Sequence, residues 1–118
     1  MSTQIQLHVR TEEMTDEMLR SEGHLDGGIA GVMGQLMNGP DYFEELNDLM
    51  RESDSHIVGN SLDDGPSDIA DIFEGVTEVT SRVVEQAQVI AEDSEDLNGE
   101  VVEWLYDNKG EEVFAVHW

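Results

Sequence analysis

Cysteine is absent from the 118 residues of this chain, which excludes disulfide bonds, thiolate nucleophiles and thiolate metal sites. No run of apolar residues approaches the ~20 that a membrane-spanning helix needs. The chain also opens without the basic and apolar segments of a secretory signal. These absences predict a soluble, cytoplasmic protein.

Basic residues are scarce as well. Four arginines and one lysine stand against 28 acidic residues, which gives a net charge of −23 at pH 7. A compact chain of this length has a radius of gyration of about 13–14 Å and hence a diameter of roughly 35 Å. The net charge then amounts to about 0.65 negative charges per Å, whereas duplex DNA carries about 0.6 per Å. Such a protein repels nucleic acid and anionic membranes and attracts basic partners.

Three segments have the patterning of β-strands. Residues 3–10 alternate polar and apolar side chains, as a half-buried strand does. Residues 101–106 and 113–116 are rich in β-branched and aromatic residues, and residues 107–110 between them are typical of a turn. We expect a C-terminal hairpin that the N-terminal strand joins, giving a three-stranded antiparallel sheet.

Helical spacing of apolar residues covers most of the remaining chain, with a loop predicted over residues 53–65. Shorter helices are predicted over residues 11–21, 26–38 and 40–52. The longest is predicted from Pro66 to Leu97, where apolar residues recur at heptad spacing. This apolar stripe consists of Ile69, Ile72, Val76, Val79, Val83, Ile90 and Leu97.

The apolar stripe of the long helix has two possible uses. It can pair with a second copy of the chain, or it can be buried inside a monomer. We expect the monomer, because other apolar helix faces also need covering. Together these patterns predict a single α+β domain over residues 1–118, with about four helices packed on one face of the three-stranded sheet.

The sequence contains no arrangement of residues that is typical of a catalytic, cofactor-binding or metal site. Residues 60–71 weakly resemble a calcium loop, but Leu62 occupies a ligand position and Asp71 replaces the bidentate glutamate. Glycines recur every three residues over 28–34 without the strand and lysine of a phosphate-binding loop, so we interpret them as points of close packing. The histidines are scattered, at His8, His24, His56 and His117. We expect a protein that is not an enzyme and binds no cofactor or metal.

The acidic residues are the candidate binding surface. On the predicted long helix they lie opposite the apolar stripe, and a second set lies on the outer face of the 40–52 helix. Acids also crowd the C-terminal turns of the long helix, where they oppose the helix dipole. Fold stability alone therefore does not account for them. The predicted partner-binding residues are Asp71, Glu74, Glu78, Glu85, Glu92 and Glu95, together with Glu44, Glu45 and Asp48.

In composition, size and lack of catalytic motifs the chain resembles the DNA-mimic inhibitors of phages and mobile elements, which include anti-restriction and anti-CRISPR proteins. The residues that carry this resemblance are the acids from Asp71 to Glu95 and those of residues 41–54. These inhibitors share no common motif or fold, so no residue's role is transferred. The resemblance implies an inhibitor that occupies the nucleic-acid groove of a basic DNA- or RNA-binding protein, in the host-cell cytoplasm if a phage encodes it.

Adaptation to high salt is the alternative explanation of the acidity. In molar salt, ions screen a dense acidic surface, and the function of such a halophilic protein would be unrelated to its acids. The excess of arginine over lysine favours this alternative. The five alanines and six methionines favour mimicry, because salt-adapted chains are usually rich in alanine and poor in methionine.

Overall fold

The structure, a computed structural model, describes residues 4–21 and 42–117. Within these ranges it has an α+β fold with one four-stranded antiparallel sheet and five helices. The predicted class is therefore correct, but the sheet has one strand more than predicted. In chain order the elements are β1 (Gln4–Val9), α1 (Asp16–Ser21), α2 (Phe43–Glu52), β2 (Ser55–Asn60), α3 (Asp64–Ile72), β3 (Thr77–Glu78), α4 (Ser81–Asp93), α5 (Glu100–Asp107) and β4 (Glu112–His117).

Strands β1 and β4 occupy the centre of the sheet, whose order is β2-β1-β4-β3. They pair antiparallel, from Ile5 opposite His117 to Val9 opposite Val113. The N-terminal strand was predicted to join a C-terminal hairpin, and it pairs with β4, the part of that hairpin that forms a strand. Because side chains alternate between the two faces of a strand, Leu7 and Val113 lie on what we call the first face. Phe114 and Val116 lie on the opposite, second face.

Strand β2 lies where a loop was predicted over residues 53–65, and that prediction is wrong. Residues 55–60 pair antiparallel with β1, with a register shift between Ile5 and Gln6. Val58 is the one buried residue of this strand. A strand with a single buried side chain lacks the alternation by which strands are recognised in a sequence.

Helices cover both faces of the sheet, so the prediction that they pack on one face is wrong. Helices α3, α4 and α5 pack with Leu7 and Val113 on the first face. Helices α1 and α2 pack with Phe114 and Val116 on the second face. The central strand β4 is apolar on both sides, and each side therefore needs its own layer of helices. The buried residues of this layer are Met14, which precedes α1, and the helix residues Leu19, Leu46 and Met50.

The predicted single helix from Pro66 to Leu97 is also wrong. The chain leaves the helical conformation after Ile72 and begins a second helix at Ser81. Between them, strand β3 pairs with the outer edge of β4. Just after β3, the N–H of Val79 donates to the carbonyl oxygen of Glu111 at 2.9 Å. The backbone here satisfies its hydrogen bonds in the sheet instead of in a helix.

Local chemistry favours this break. Gly75 costs a helix about 1 kcal/mol relative to alanine, and the residues that follow it are mostly β-branched. Thr80 caps α4, because its Oγ1 accepts a hydrogen bond from the N–H of Val83 at 3.2 Å. The heptad spacing continues across the break because Ile69 of α3 and Val83 of α4 belong to the same core. The spacing of the apolar residues therefore indicated correctly that these side chains are buried, but it did not indicate that they belong to one unbroken helix.

The predicted C-terminal hairpin is half correct. Residues 112–117 form β4, and Gly110 has the positive φ (+92°) that the predicted turn requires. Residues 100–107, however, form helix α5 and not a strand. Val101 and Leu105, four positions apart, are both buried on one side of this helix.

Asn98 lies just before α5, whose first residue is Glu100. Its Oδ1 accepts a hydrogen bond from the N–H of Glu100 at 3.0 Å. The segment before it packs on the start of α3. A Cβ at Gly65 would lie 2.6 Å from Oδ1 of Asp96 and 2.8 Å from Cβ of Ser94. Glycine at position 65 therefore permits the first turn of α3 to contact the α4–α5 connection.

The two helices on the second face agree more closely with the sequence. Helix α2 lies within the predicted range 40–52. Helix α1 starts at Asp16 instead of near Thr11, and Oγ1 of Thr15 accepts a hydrogen bond from the N–H of Met18 at 3.2 Å. The helix predicted over residues 26–38, with its regularly spaced glycines, lies outside the described residues.

The valines predicted to be buried fall into two groups. Val79 and Val83 are buried, whereas Val76 is partly buried against the second-face core.

We expect Val79→Asp to unfold the protein, because an unpaired buried carboxylate costs several kcal/mol. Urea unfolding followed by circular dichroism measures this loss.

Val89→Asp is the matched control, since Val89 of α4 is 56% exposed. Its free energy of unfolding should stay within about 0.5 kcal/mol of the parent, as for most surface substitutions. A Val79→Asp variant that unfolds at the parent's urea concentration would contradict the placement of Val79 in the core.

Candidate interaction surface

All nine predicted partner-binding acids are exposed. They do not form one stripe, because the helix that was to carry six of them is broken. Glu78 lies in β3, and Glu74 and Glu95 lie in the segments that follow α3 and α4. The remaining six are Asp71 in α3, Glu85 and Glu92 in α4, and Glu44, Glu45 and Asp48 in α2.

The sheet separates these acids into two sets. Helix α2, with Glu44, Glu45 and Asp48, belongs to the layer on the second face. Helices α3 and α4 belong to the layer on the first face. One flat binding surface on a partner therefore cannot contact both sets at once.

A groove between α3 and α4 brings Asp71 and Glu85 together. Its volume is about 670 Å³. Acidic Asp71 and Glu85 share it with a cation, Arg82, and with apolar side chains. Its lining consists of Asp71, Ile72, Arg82, Glu85, Gln86, Val89 and Ile90.

Val89, like Arg82, is a residue of this groove that sequence reasoning missed. It falls outside the heptad stripe, which includes its neighbour Ile90. Its side chain is 56% exposed, and few other large apolar side chains in the described ranges are exposed to this extent. The sequence did contain a signal, because Gln86, Val89 and Ile90 have the i, i+3, i+4 spacing of a shared helix face.

Few acids are neutralised by a cation. In the described part of the chain, Arg10 contacts Asp16 and Glu112, and Arg51 contacts Asp48 at 3.7 Å.

The other two cations with described side chains make no ion pair there. The ammonium group of Lys109 lies 4.9 Å from the ring centroid of Tyr106. Arg82, although it lines the groove, forms no ion pair with any described residue. Every other acidic side chain of the described ranges is exposed and lacks a cationic partner there.

A second cluster that the sequence did not indicate joins β2 to α5. The indole Nε1–H of Trp104 donates to Oδ1 of Asp54 at 3.3 Å, and the ring of His56 stacks on the indole with centroids 5.9 Å apart. Burial lowers the pKa of His56 below its ordinary value, against the opposing attraction of Glu100 and Asp54. The neutral imidazole here packs as an aromatic ring at the edge of the sheet.

His8 is buried on the second face of the sheet, with 3% of its surface exposed. Its ring stacks on Phe114, and its Nδ1 lies 3.3 Å from Oγ of Ser53. The hydroxyl of Ser53 already donates to the carbonyl oxygen of Met50 at 3.0 Å. While its hydroxyl donates to Met50, Ser53 can only accept from His8, and in that arrangement the neutral imidazole carries its proton on Nδ1.

The described residues offer no evident site for a metal ion. Among them, no three histidine or carboxylate side chains converge closely enough to hold one. In the 60–71 segment, Oδ1 of Asn60 accepts from the N–H of Leu62 at 2.9 Å within a turn, and residues from Asp64 onward are helical. None of the helices in residues 4–21 and 42–117 combines the length and apolar character that crossing a membrane requires.

No protein-family model, curated protein or solved structure matches this chain.

The buried imidazole of His8 makes stability depend on pH. Burial lowers the pKa of His8 below the ordinary 6.5. Below pH 6.5 the unfolded chain binds a proton that the folded chain resists, so the contribution of His8 to stability falls as the pH falls. We expect the parent to lose stability relative to His8→Phe between about pH 6.5 and 5.

Urea unfolding of the two proteins across that range measures the effect. Because the two proteins share all their acidic residues, the contributions of those residues to the pH dependence of stability cancel in the comparison. His8→Phe keeps a ring against Phe114 but cannot be protonated. A stability difference that does not change with pH would contradict the burial of a neutral His8.

Proposed function

We propose that this protein is an acidic nucleic-acid mimic that inhibits a basic DNA- or RNA-binding protein by occupying its nucleic-acid groove. The observation that carries the proposal is the charge along the molecule. Its longest principal axis is 44 Å, so the net charge of −23 corresponds to about one negative charge per 1.9 Å, against one per ~1.7 Å in duplex DNA. The radius of gyration of 14.1 Å agrees with the value expected from chain length.

The exposure of the acids supports the same function. Every acidic side chain in the described ranges is exposed, and only Asp16, Asp48 and Glu112 contact an arginine there. Their charge is therefore available to a partner. A field of this size accelerates association with a basic surface and weakens as salt is added.

No single element imitates a DNA strand. Glu85 and Glu92 of α4 are seven residues apart, or about 10.5 Å along the helix axis. Phosphates of one DNA strand follow each other every ~3.4 Å. Acids from several elements must therefore act together as a field.

We assign the main contact to the layer of α3 and α4. This layer contains Asp71, Glu85 and Glu92 on adjacent helices, and its groove exposes apolar surface beside two of them. Glu44, Glu45 and Asp48, on the other layer, contribute to the long-range field and not to the contact.

Adaptation to high salt remains the second candidate, and a specific observation favours it. The acids occur on both layers of the fold and in the connections between elements. A surface built for solubility in molar salt needs no preferred face. The two candidates differ in what low salt does to folding and in which acids a partner contacts.

The salt dependence of folding distinguishes mimicry from salt adaptation. We expect a mimic from an ordinary cytoplasm to keep its helical circular dichroism at about 0.1 M salt, where the Debye length is about 10 Å. A salt-adapted protein should lose this signal below about 0.5 M, because its acids then repel each other unscreened. Unfolding at 0.1 M would count against mimicry.

Competition with DNA tests the contact itself. A basic nucleic-acid-binding protein recovered from a host lysate is loaded with fluorescent duplex DNA, and displacement is followed by anisotropy. We expect the parent to displace the DNA. The triple variant Asp71→Asn, Glu85→Gln, Glu92→Gln should need a much higher concentration, whereas Glu85→Gln alone should cost no more than about 1 kcal/mol.

The control variant, Glu44→Gln, Glu45→Gln, Glu52→Gln, removes the same charge from the other layer. It uses Glu52 because Asp48 already contacts Arg51. It should compete nearly as well as the parent. Equal competition by both triple variants and the parent would mean that the α3–α4 acids are a solvated surface.

A further inference from the structure

The α3–α4 groove combines exposed apolar surface with acidic borders. Ile72, Val89 and Ile90 supply its apolar side chains, and Asp71 and Glu85 supply its carboxylates. Val89 is 56% exposed, although an isoleucine or valine on an amphipathic helix normally faces the core. Apolar surface that is bordered by charged residues is typical of sites where another protein binds.

We propose that this groove binds an apolar side chain of a basic segment in the partner protein, with lysine or arginine residues of that segment against Asp71 and Glu85. The proposal rests on the proposed function and names the chemistry of the segment that is bound. The groove then supplies a short-range apolar anchor, and the acids around it supply orientation. Its volume of about 670 Å³ is large enough for one or two such side chains.

Charge favours a basic partner over a second copy of this chain. Two copies would each bring a net charge of −23 to the contact, and the acids beside the groove would face each other. A segment rich in lysine and arginine meets the same carboxylates with the opposite sign. Electrostatic complementarity therefore selects the occupant.

Arg82 gives the proposal a test with a predicted sign. Among the described residues it is the one cation that lines the groove, and it forms no ion pair with any of them. It repels the basic segment that the groove is proposed to bind. Removing its charge should therefore strengthen binding.

The experiment uses two synthetic helical peptides of about 14 residues. Both are rich in lysine and arginine. One has two leucines three positions apart, which share a helix face, and the other has serines in their place. Titration calorimetry at about 0.15 M salt measures binding to the full chain. We expect the leucine peptide to bind at least about tenfold more tightly than the serine peptide.

Two substitutions locate the binding site. Val89→Gln should remove the preference for the leucine peptide, and Arg82→Gln should tighten binding of both peptides about two- to threefold. Leu62→Gln is the matched control. Leu62 is 76% exposed but lies in the turn after β2, away from the groove, so the preference should persist.

Several results would overturn the proposal. They are equal affinity for the two peptides, no binding of either up to about 1 mM, and a preference that survives Val89→Gln. Sedimentation that shows a dimer disrupted by Val89→Gln would make a second copy the occupant and would overturn it as well.

The outcome is separable from that of the proposed function. Suppose that the preference for the leucine peptide depends on Val89 but the protein displaces DNA from no basic target. The groove proposal is then supported and the mimicry proposal is rejected. If Val89→Gln displaces DNA as well as the parent does, the mimicry proposal is supported and the groove proposal is rejected.

Discussion

The antiparallel pairing of β1 with β4 is the contact on which the rest of the structure depends. It joins residues about a hundred positions apart in the chain and puts both strands at the centre of the sheet. Because β4 is apolar on both sides, the pairing creates two apolar faces. The helices then divide into two layers, and this division decides which acids lie near each other.

The charge of the protein is accommodated by keeping acids out of both cores. Repulsion among these acids opposes the compact state, and exposure to water keeps that repulsion weak. One arginine connects a strand, a helix and the segment between them. Arg10, at the end of β1, contacts Asp16 of α1 and Glu112 of β4, and its Nε donates to the carbonyl oxygen of Met14 at 3.1 Å.

Apolar and acidic surface have different roles in the proposed interaction. A summed field attracts a basic protein from a distance but discriminates poorly among basic proteins. An apolar side chain seated beside Val89 acts only on contact and adds selectivity to the attraction. The α3–α4 layer contains both kinds of surface, whereas the acids of α2 are proposed to have only the long-range role.

The sequence by itself determined the charge, where strands β1 and β4 lie in the chain, the burial of residues such as Ile69 and Val83, and the end of α2 at Glu52. These follow from composition and from periodicities that a local segment already contains. Tertiary structure decided that the local signals at Gly75 and Val89 become a break before Ser81 and a groove, and that residues 55–60 form a strand and residues 100–107 a helix. Each of these depends on a distant partner: β3 ends the long helix by hydrogen bonding to β4, and β2 becomes a strand by pairing with β1. A local pattern indicates which side chains avoid water, but it does not indicate which backbone groups across the fold will accept their hydrogen bonds.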